Sequence, residues 1–364
     1  MLIWFPFMPQ KILLVSTMLF GDGLLATGLT RSLRVAYPNS QIDVLVTRNG
    51  RLAFEGNPDI DSVIHISKKP SFKELLQFAR ENFRKYDLVL NDRDSERPVI
   101  YSLIAGKTRI GFVKHKIAKL QSILYSHAFD IEATSEHRFY RNMRLLEPLG
   151  IKKEMRVVSP EPETPELPFE LPSKYLVLHA PASMEFKQWP VSCWKVLADQ
   201  LVQSGYFLVF TGAKSKRDLE IVSEVLSALP ERSYLDASGK LSIQQTSLLI
   251  KNSMGFVGPD TGPAHLASGY NIKQILLFGG TLPDVWAPWP YECATSSQPF
   301  LRRKAHQTVN NITVLQSELE CVPCNKGYCQ RTCSVKPDCL ADISARRVFD
   351  VIQHEIPLNE WLRD

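Results

Sequence analysis

Residues 258–267, Gly-Pro-Asp-Thr-Gly-Pro-Ala-His-Leu-Ala, place an acid, a hydroxyl and an imidazole close together in the chain. They follow a short apolar segment and precede a helix-like one, which predicts a strand, a tight turn and a helix start. Such a turn directs backbone N–H groups and the positive end of a helix dipole at one point, where phosphate can bind. His265 lies one helical turn after Thr261, on the same face. The predicted anion site comprises Thr261, Gly262, Pro263 and His265, whereas the acidic Asp260 would cap the helix or bind hydroxyl groups of the ligand, since it would repel phosphate.

The same residues are also compatible with an ordinary helix start. In that interpretation Asp260 or Thr261 is the N-cap and Pro263 lies in the first turn. The following residues favour a ligand site. Ile275–Thr281 predicts a second buried strand that ends in a glycine-rich turn, and residues 284–289 include two tryptophans that could wall a pocket. Strand ends of this kind are where open α/β sheets bind ligands.

Three motifs, D-T-G-P-x-H-L-A, L-F-G-x-T and W-x-P, follow one another between residues 260 and 288. Together they resemble glycosyltransferase family 9, the ADP-heptose:lipopolysaccharide heptosyltransferases. Each motif alone is weak evidence, whereas their order and spacing over most of the chain are specific. Other segments resemble landmarks of the same family: Lys11–Ser16 with Gly21 and Asp22, Pro38–Val46, Gly106–Phe112, Glu136–Gly150, and His179–Ala182 with Lys187–Pro190.

This resemblance implies a GT-B architecture, in which two Rossmann-like, doubly wound α/β domains face a cleft. It implies an inverting transfer of a sugar such as heptose from a nucleotide diphosphate donor such as ADP-heptose to a lipopolysaccharide core or related saccharide. Asp22 matches the family's catalytic base, and Lys187 matches the lysine that contacts the donor phosphates. The donor-binding residues on this basis are Gly21, Thr211, Gly212, Asp260, Thr261, Gly262, Pro263 and His265.

Asp22 and Lys187 also suit this chemistry by residue type. A carboxylate can accept the proton of an acceptor hydroxyl, and an ammonium group can stabilise a departing diphosphate. Asp22 follows the first predicted strand, at the edge where open α/β sheets bind ligands. The alternatives are that Asp22 caps the helix that begins near Leu24 and that Lys187 is an exposed loop lysine.

A few positions depart from the family pattern. Gly28 stands where the family usually has proline after the threonine, and Gly23 stands where it usually has an apolar residue. The basic run Lys214–Arg217 lies where heptosyltransferases often place an acid near the nucleotide ribose. Asp218 or Glu220 could serve instead, so adenine specificity stays open.

Two blocks of alternating strands and helices must position these residues. The first predicts buried parallel strands between residues 12 and 91, with helices at Leu24–Tyr37 and 72–84. Five prolines within 160–172 predict a stiff linker, after which the alternation restarts at Tyr175. We expect an acceptor-binding domain at 1–158, a linker at 159–173, a nucleotide-sugar-binding domain at 174–340, and a last helix within 341–364 that packs back on the first domain.

Charge and length limit the possible partners. The chain of 364 residues carries a net charge of +5, with 21 basic and 15 acidic residues in its first 150 positions. Six basic residues and no acid lie between Arg97 and Lys119, as a solvated face or as a surface for an anionic partner. The sequence contains no nucleic-acid-binding motif, so we expect no nucleic-acid partner. We expect the acceptor to be an anionic saccharide or a lipid-linked acceptor.

The same features predict where the protein works. No run of about 18 apolar residues predicts a membrane-spanning helix. The apolar first eight residues lack a basic segment and a cleavage site, which argues against a signal peptide. We therefore expect a cytoplasmic protein. Peripheral contact with the anionic surface of the inner membrane is what the family resemblance, together with the basic first domain, implies.

Five of the seven cysteines lie within residues 321–339. A reducing compartment disfavours a disulfide framework, and the C-x-x-C spacing at its start is that of zinc ligands. A second C-x-x-C is absent, so a site without metal is the alternative. The candidate ligands of a structural zinc are Cys321, Cys324, Cys329 and Cys333. No cofactor and no metal are expected to be required for catalysis.

Two other functions compete with glycosyl transfer. Gly21, Gly23 and Gly28 distantly resemble a G-x-G-x-x-G dinucleotide motif, which would indicate a nicotinamide-dependent oxidoreductase. Their spacing is wrong, and the second strand ends in Thr47-Arg48 without the expected acid. A catalytically silent GT-B binding module is the other possibility, because fold does not determine function.

Overall fold

The computed structural model describes residues 8–114, 123–131, 136–293, 297–329 and 337–358. The chain divides into two compact units, Met1–Pro160 and Glu161–Asp364. The boundary lies inside the proline-rich segment at residues 160–172. Each unit has its own parallel sheet, and both are therefore α/β.

The sheet of the first unit is parallel throughout its described strands. They are β1 (Lys11–Val15), β2 (Gln41–Val46), β3 (Ser62–His65), β4 (Tyr86–Asn91), β5 (Gly106–Lys114) and β6 (His127–Ile131). They pair in the order β3-β2-β1-β4-β5-β6. The strand order reverses between β1 and β4, and the crevice outside the carboxyl ends of such a pair is where doubly wound sheets bind ligands.

Helices cover this sheet with their apolar faces. Phe78 and Tyr101 come from two different helices and pack edge to face at 5.5 Å in a buried cluster with Val89. The helices are α1 (Phe20–Leu24), α2 (Thr27–Ala36), α3 (Phe72–Asn82), α4 (Glu96–Ala105) and α5 (Arg138–Met143), with 3-10 turns at Arg51–Ala53 and Arg144–Leu149.

The chain becomes helical earlier than the sequence predicts. Asp22 lies inside α1, whose N-cap position is Leu19, so the interpretation of Asp22 as an N-cap is wrong. Glycine permits this tight start, because a Cβ on Gly23 would lie 2.9 Å from the Cβ of Ala53. Glycine is required at position 28 for a similar reason, since a Cβ on Gly28 would lie 2.7 Å from the ring of Phe139. The two departures from the family pattern are therefore packing requirements of this chain.

The second unit has a larger sheet with one antiparallel hairpin at its edge. Its described strands are β7 (Leu176–His179), β8 (Leu208–Thr211), β9 (Tyr234–Asp236), β10 (Gly255–Pro259), β11 (Lys273–Phe278), β12 (His306–Val309) and β13 (Ile312–Gln316). They pair in the order β12-β13-β11-β10-β7-β8-β9, and only the β12–β13 pairing is antiparallel among them. The order reverses between β7 and β10, which defines the switch point of this sheet.

Helices of the second unit pack on both faces of the sheet around a continuous core. They are α6 (Val191–Gln203), α7 (Lys216–Leu226), α8 (Ile243–Lys251), α9 (Gly262–Ala267), α10 (Pro283–Trp286), α11 (Asp338–Ala341) and α12 (Ala345–Glu355), with a 3-10 turn at Glu185–Lys187. Val348 and Ile352 of α12 are fully buried in the same core as Leu197 and Leu201 of α6. The sequence-based division placed residues 341–364 outside this domain, and that placement is wrong for α12. Its apolar face is part of the second unit's core.

Candidate active site

The switch point of the second sheet brings together two residues that the sequence singled out. Lys187 ends the 3-10 turn in the loop after β7, and Asp260 directly follows β10. The Nζ atom of Lys187 lies 2.6 Å from Oδ2 of Asp260. The side chain of Asp260 is 4% exposed and that of Lys187 is 24% exposed, so the ammonium group retains access to solvent. The pair places a held positive charge at the ligand-binding edge of the sheet.

The residues that follow Lys187 hold its loop in place. The side chain of Gln188 accepts from the N–H of Ala182 and donates to the carbonyl of Ala180, both at 2.9 Å. Trp189 is fully buried and donates from Nε1 to the carbonyl of Ile343 at 2.9 Å. These contacts hold residues 188 and 189 in place and so position the partly exposed ammonium group of Lys187. Gln188 was not a predicted site residue, although it lies within the landmark Lys187–Pro190.

The turn between β10 and α9 is organised differently from a capped helix. Thr261 occupies the N-cap position without a side-chain capping hydrogen bond, and Pro263 lies in the first turn as predicted. Asp260 does not cap the helix, because its carboxylate pairs with Lys187. The ring Nε2 of His265 lies 3.9 Å from Oδ1 of Asp260. Helix α9 therefore starts at Gly262, and the carboxylate of Asp260, the ammonium group of Lys187 and the imidazole of His265 lie close to this start.

Thr211 and Gly212 lie at the end of β8, beside the loop that follows β7. Thr211 is buried, and its hydroxyl lies 2.9 Å from Nδ1 of His179. A Cβ on Gly212 would lie 3.5 Å from Cγ of Pro181, an ordinary van der Waals distance, so the two loops lie next to each other. Thr211 contacts His179 at the end of β7 and positions its ring.

The acids proposed for the nucleotide ribose differ in their surroundings. Asp218 accepts hydrogen bonds from the N–H of Ala213 and the hydroxyl of Ser215, at 2.9 and 2.8 Å. It therefore organises the turn between β8 and α7. Glu220 is exposed on α7 and lies 3.7 Å from Lys216. Neither is grouped with Lys187 and Asp260 by a described contact.

The prediction that two tryptophans line a pocket is wrong for one of them, because that side chain is fully buried. Trp289 is fully buried and belongs to the interior, whereas Trp286 is partly exposed. A tryptophan that is enclosed on all sides contributes packing rather than a pocket surface. Only Trp286 of this pair can face a ligand.

In the first unit, Asp22 lies beside a buried charged network at the β1/β4 switch point. The hydroxyl of Ser16 donates to Oδ2 of Asp92 at 2.6 Å, and Arg138 donates from Nη2 to the carbonyl of Asp92 at 3.0 Å. Arg138 interacts electrostatically with both Asp92 and Asp22. Asp92 and Arg138 were not predicted as site residues. The signal was present in the landmark Glu136–Gly150 and in the polar run that follows β4.

Burial sets the protonation tendencies of this network. It raises the pKa of the Asp92 carboxyl, while Arg138 and Ser16 oppose the shift. It lowers the pKa of the Arg138 guanidinium, which Asp92 and Asp22 oppose. Each of the two buried groups thus favours the charged form of the other, and both lie next to Asp22 at the switch point of the first sheet.

The structure describes three of the four predicted zinc ligands. Cys321, Cys324 and Cys329 line a small cavity together with Cys339, whereas Cys333 lies outside the described residues. Burial, and then the sulfur atoms of Cys324, Cys321 and Cys329, raise the pKa of the Cys339 thiol to about 12. In the part of the chain that is described, no group of three or more His, Cys, Asp or Glu side chains is arranged to hold a metal ion.

Comparison with known proteins places this architecture and these motifs in one family. The sequence model of glycosyltransferase family 9 (heptosyltransferase) matches residues 76–317. The chain belongs to glycosyltransferase family 9. It is 28% identical over 288 residues to lipopolysaccharide heptosyltransferase 3 of Escherichia coli, which covers 74% of this chain and 83% of that protein. The chain is therefore a glycosyltransferase.

Solved structures agree with this family 9 assignment at the level of the fold. The family 9 glycosyltransferase of Veillonella parvula DSM 2008 superposes with a TM-score of 0.73 at 19% identity, covering 98% of both chains. The E. coli heptosyltransferase WaaC with ADP superposes with a TM-score of 0.70 at 16% identity, covering 95% of this chain and 99% of that one. The predicted GT-B class is confirmed.

The described helices of this family 9 enzyme include none that is long and apolar enough to cross a bilayer. This agrees with the absence of a long apolar run in the sequence.

Proposed function

We propose that this family 9 enzyme transfers heptose from ADP-heptose to an anionic saccharide or lipid-linked acceptor, with inversion at the anomeric carbon. The observation that carries the proposal is the Lys187–Asp260 pair at the switch point of the second sheet. The names of relatives support the choice of sugar and nucleotide. They include a lipopolysaccharide heptosyltransferase of E. coli and an E. coli heptosyltransferase solved with ADP.

Lys187 binds the diphosphate of the donor in this proposal. An ammonium group has three N–H donors, so pairing with Asp260 leaves two for phosphate oxygens. Asp260 holds Nζ in place before the donor arrives, and the Gln188 contacts fix the loop beneath it. Such a held charge stabilises the negative charge that develops on the leaving diphosphate. We therefore assign no metal and no other cofactor to the transfer step.

Asp22 acts as the general base. Its carboxylate accepts the proton of the acceptor hydroxyl as that oxygen forms a bond to the anomeric carbon of heptose. The bond from this carbon to the diphosphate oxygen breaks, and its electron pair leaves on ADP. One displacement of this kind inverts the anomeric configuration. Arg138 and Asp92 set the charge around Asp22 but do not contact the reacting atoms in this scheme.

A nucleotide titration followed by transfer assays tests the donor assignment. ADP should raise the melting temperature without added metal, and UDP, GDP, CMP and NAD should raise it less, because a ligand at 100 times its Kd adds about 2.7 kcal/mol. Lys187→Met should weaken ADP binding about tenfold or more. The matched control is Lys195→Met, which removes a surface lysine paired with Glu224 in the same unit. Equal ADP affinity in both variants contradicts the assignment of Lys187.

The base is tested separately from the donor site. Asp22→Asn should keep ADP-heptose binding and lower the transfer rate about a thousandfold or more. Glu96→Gln, an exposed acid in the same unit, should leave both unchanged. The anomeric configuration of the product, read by NMR, tests inversion. Normal transfer by Asp22→Asn, or a retained configuration, overturns the mechanism.

The competing functions give different results in the same experiments. A response to NAD alone would indicate the oxidoreductase, although β2 ends without the acid that binds the ribose of NAD. Binding of ADP-heptose without turnover on any anionic saccharide would indicate the silent binding module. Selectivity for UDP or GDP would keep a transferase and replace the proposed sugar nucleotide.

We also propose that helix α3 contacts an anionic membrane surface at the cytoplasmic side. Phe72 and Phe83 are 81% and 71% exposed, and Leu76, spaced four residues from Phe72, is 39% exposed. Spacings of four and seven place all three on one side of the helix. Six basic residues and two acids lie between Ser67 and Lys85. Exposed aromatic side chains flanked by basic residues are typical of helices that lie in an anionic bilayer interface.

Part of the basic stretch predicted for this role has other partners. Lys107 pairs with Asp87 at 2.9 Å, and Arg109 donates from Nε to the carbonyl of Leu124 at 2.8 Å. Residues 115–122 of that stretch lie outside the described part of the chain. The proposal therefore rests on α3 and its flanks.

A further inference from the structure

Four cysteine side chains line one small cavity in the second unit, with a volume of about 50 Å³. Three come from the loop that follows β13, and the fourth, Cys339, comes from helix α11. The four are Cys321, Cys324, Cys329 and Cys339. The sequence spacing had suggested Cys333 in place of Cys339. The fold therefore gathers sulfur atoms from two segments that are separated in the chain.

The glycine turn after β11 is shaped around two of these sulfur atoms. A Cβ on Gly280 would lie 2.9 Å from Sγ of Cys324, and a Cβ on Gly279 would lie 3.2 Å from Sγ of Cys339. The N–H of Asn325 donates to the carbonyl of Gly280 at 2.7 Å. Any larger residue at position 280 would displace a thiol. The turn and the cysteine loop are thus fitted to each other.

The donor set has the chemistry of a thiolate metal site. Four cysteines favour ions that take tetrahedral sulfur ligands, which are zinc and iron. Four thiolates and one divalent cation leave a net charge of −2, and Lys326 lines the same cavity. A lysine beside such a centre stabilises its excess negative charge. The residues present therefore fit a metal ion of this class.

We propose that Cys321, Cys324, Cys329 and Cys339 bind one tetrahedral metal ion, zinc or iron, which ties the loop 321–329 to the glycine turn. The described residues hold no ready ligand group, so the thiols must close toward a common centre when the ion binds. Cys339 is held by its helix, whereas the segment from Cys321 to Tyr328 is in neither helix nor strand. Metal binding should accordingly stabilise the second unit.

The position of the cavity links this ion to the donor site, and this part rests on the proposed function. Phe186, which lines the cavity, directly precedes Lys187. Gly280 directly precedes Thr281, the last residue of the L-F-G-x-T motif. An ion at this place would hold both loops in position. Its role is structural, since no sulfur atom is assigned to the reacting groups.

The metal content of the full chain tests the proposal without donor or acceptor. Protein purified under reducing conditions should contain about one zinc or iron per chain by mass spectrometry. After chelation, cobalt should restore one equivalent with the visible bands and thiolate charge-transfer absorption of tetrahedral Co²⁺–sulfur sites. Cys321→Ser, Cys324→Ser, Cys329→Ser and Cys339→Ser should each lower the retained metal and the cobalt absorption severalfold.

Three further variants make the result specific. Gly280→Ala keeps every thiol but displaces Cys324, and it should weaken cobalt binding about tenfold or more. Cys193→Ser, on α6 and outside the cavity lining, should retain the metal. Cys333→Ser should also retain it, which separates this ligand set from the one that the sequence spacing suggested. Circular dichroism of each variant verifies that it is folded.

Several results would overturn the proposal. Wild-type protein that holds no zinc or iron and gives no cobalt–thiolate absorption would do so. The proposal would also be overturned if Cys333→Ser lost the metal as completely as Cys339→Ser. Thiol titration without reductant that reveals disulfides among the four cysteines would replace the metal by a covalent framework. None of these outcomes depends on glycosyl transfer, so the proposed function can fail independently.

Discussion

At the scale of single residues, the second unit holds a neutral imidazole beneath the donor loops. His179 is enclosed at the end of β7, and its ring bonds to Thr211 at 2.9 Å and stacks on Phe256. Burial lowers its pKa to about 4, while Asp218 and Thr211 oppose the shift. The loop that carries Lys187 begins at the next residue, Ala180. Protonation of His179 would therefore disturb the base of the candidate donor site.

This lowered pKa predicts a pH dependence of stability. Above pH 6.5 the imidazole of His179 is neutral in both the folded and the unfolded state, so protonation of this residue does not lower the stability of the fold. Between pH 6.5 and about 4 the unfolded chain binds a proton that the folded chain excludes. As the pH is lowered through this range, the free energy of unfolding therefore falls by about 1.4 kcal/mol per pH unit. Denaturant unfolding at several pH values should show this slope reduced in His179→Gln. His354→Gln, at an exposed histidine, should keep it, and equal slopes in both variants contradict the assignment.

At the scale of elements, helix α2 and helix α5 approach each other through a glycine. The ring of Phe139 occupies the space where a side chain at Gly28 would lie. Alanine in a helix interior is ordinarily more stable than glycine by about 1 kcal/mol. The contact reverses this expectation, because overpacking of a core costs about 1 to 3 kcal/mol. The sign of the change therefore distinguishes packing from helix propensity.

Gly28→Ala should lower the free energy of unfolding, as measured by denaturant titration of the full chain. Adding Phe139→Leu, which shortens the opposing side chain, should recover part of the loss. Val35→Ala, at an exposed position of the same helix, should change stability by no more than about 0.5 kcal/mol. A stabilised Gly28→Ala variant would show that the two helices separate easily and that the contact is not required.

At the scale of the whole molecule, the charge is concentrated in the first part of the chain. Residues 1–150 carry a net charge of +6, and the remaining residues carry −1, from 22 basic and 23 acidic groups. Residues 67–85, which comprise α3 and its flanks, contribute four of these positive charges as the excess of six basic residues over two acids. Long-range attraction to anionic lipid would therefore act on the first unit, and the exposed aromatic residues would then anchor it.

Vesicle co-sedimentation tests this membrane contact. The protein should bind vesicles that contain phosphatidylglycerol, bind neutral vesicles weakly, and dissociate as salt is raised. The double variant Phe72→Ser with Phe83→Ser should bind about tenfold more weakly. Leu301→Ser, at a 61% exposed apolar position of the second unit, is the matched control. Unchanged binding by the double variant contradicts the proposal. A self-associated form that only the double variant loses would assign this surface to a second copy of the chain.

The sequence predicted local structure well where one segment carries its own signal. Its apolar runs locate β1, β2, β4, β7, β10 and β11 within about two residues, because a strand buried on both faces needs consecutive apolar side chains. It missed α4, β5, β6 and the β12–β13 hairpin, and of these β6 and β12 lack a continuous apolar run. The start of α1 was also missed, since it depends on the contact of Gly23 with Ala53, a residue of another segment.

The sequence by itself determined the family and the two α/β units and predicted the candidate site residues, because these depend on residue type and order along the chain. It did not determine which residues meet. Lys187 and Asp260 are 73 positions apart, and Cys339 shares a cavity with Cys321, which lies 18 positions earlier. The tertiary structure alone decided that Asp260 holds Lys187, that Arg138 lies over Asp92, and which four thiols share a cavity. Strand order decides these pairings, since it places loops from distant segments side by side at the switch points of the two sheets.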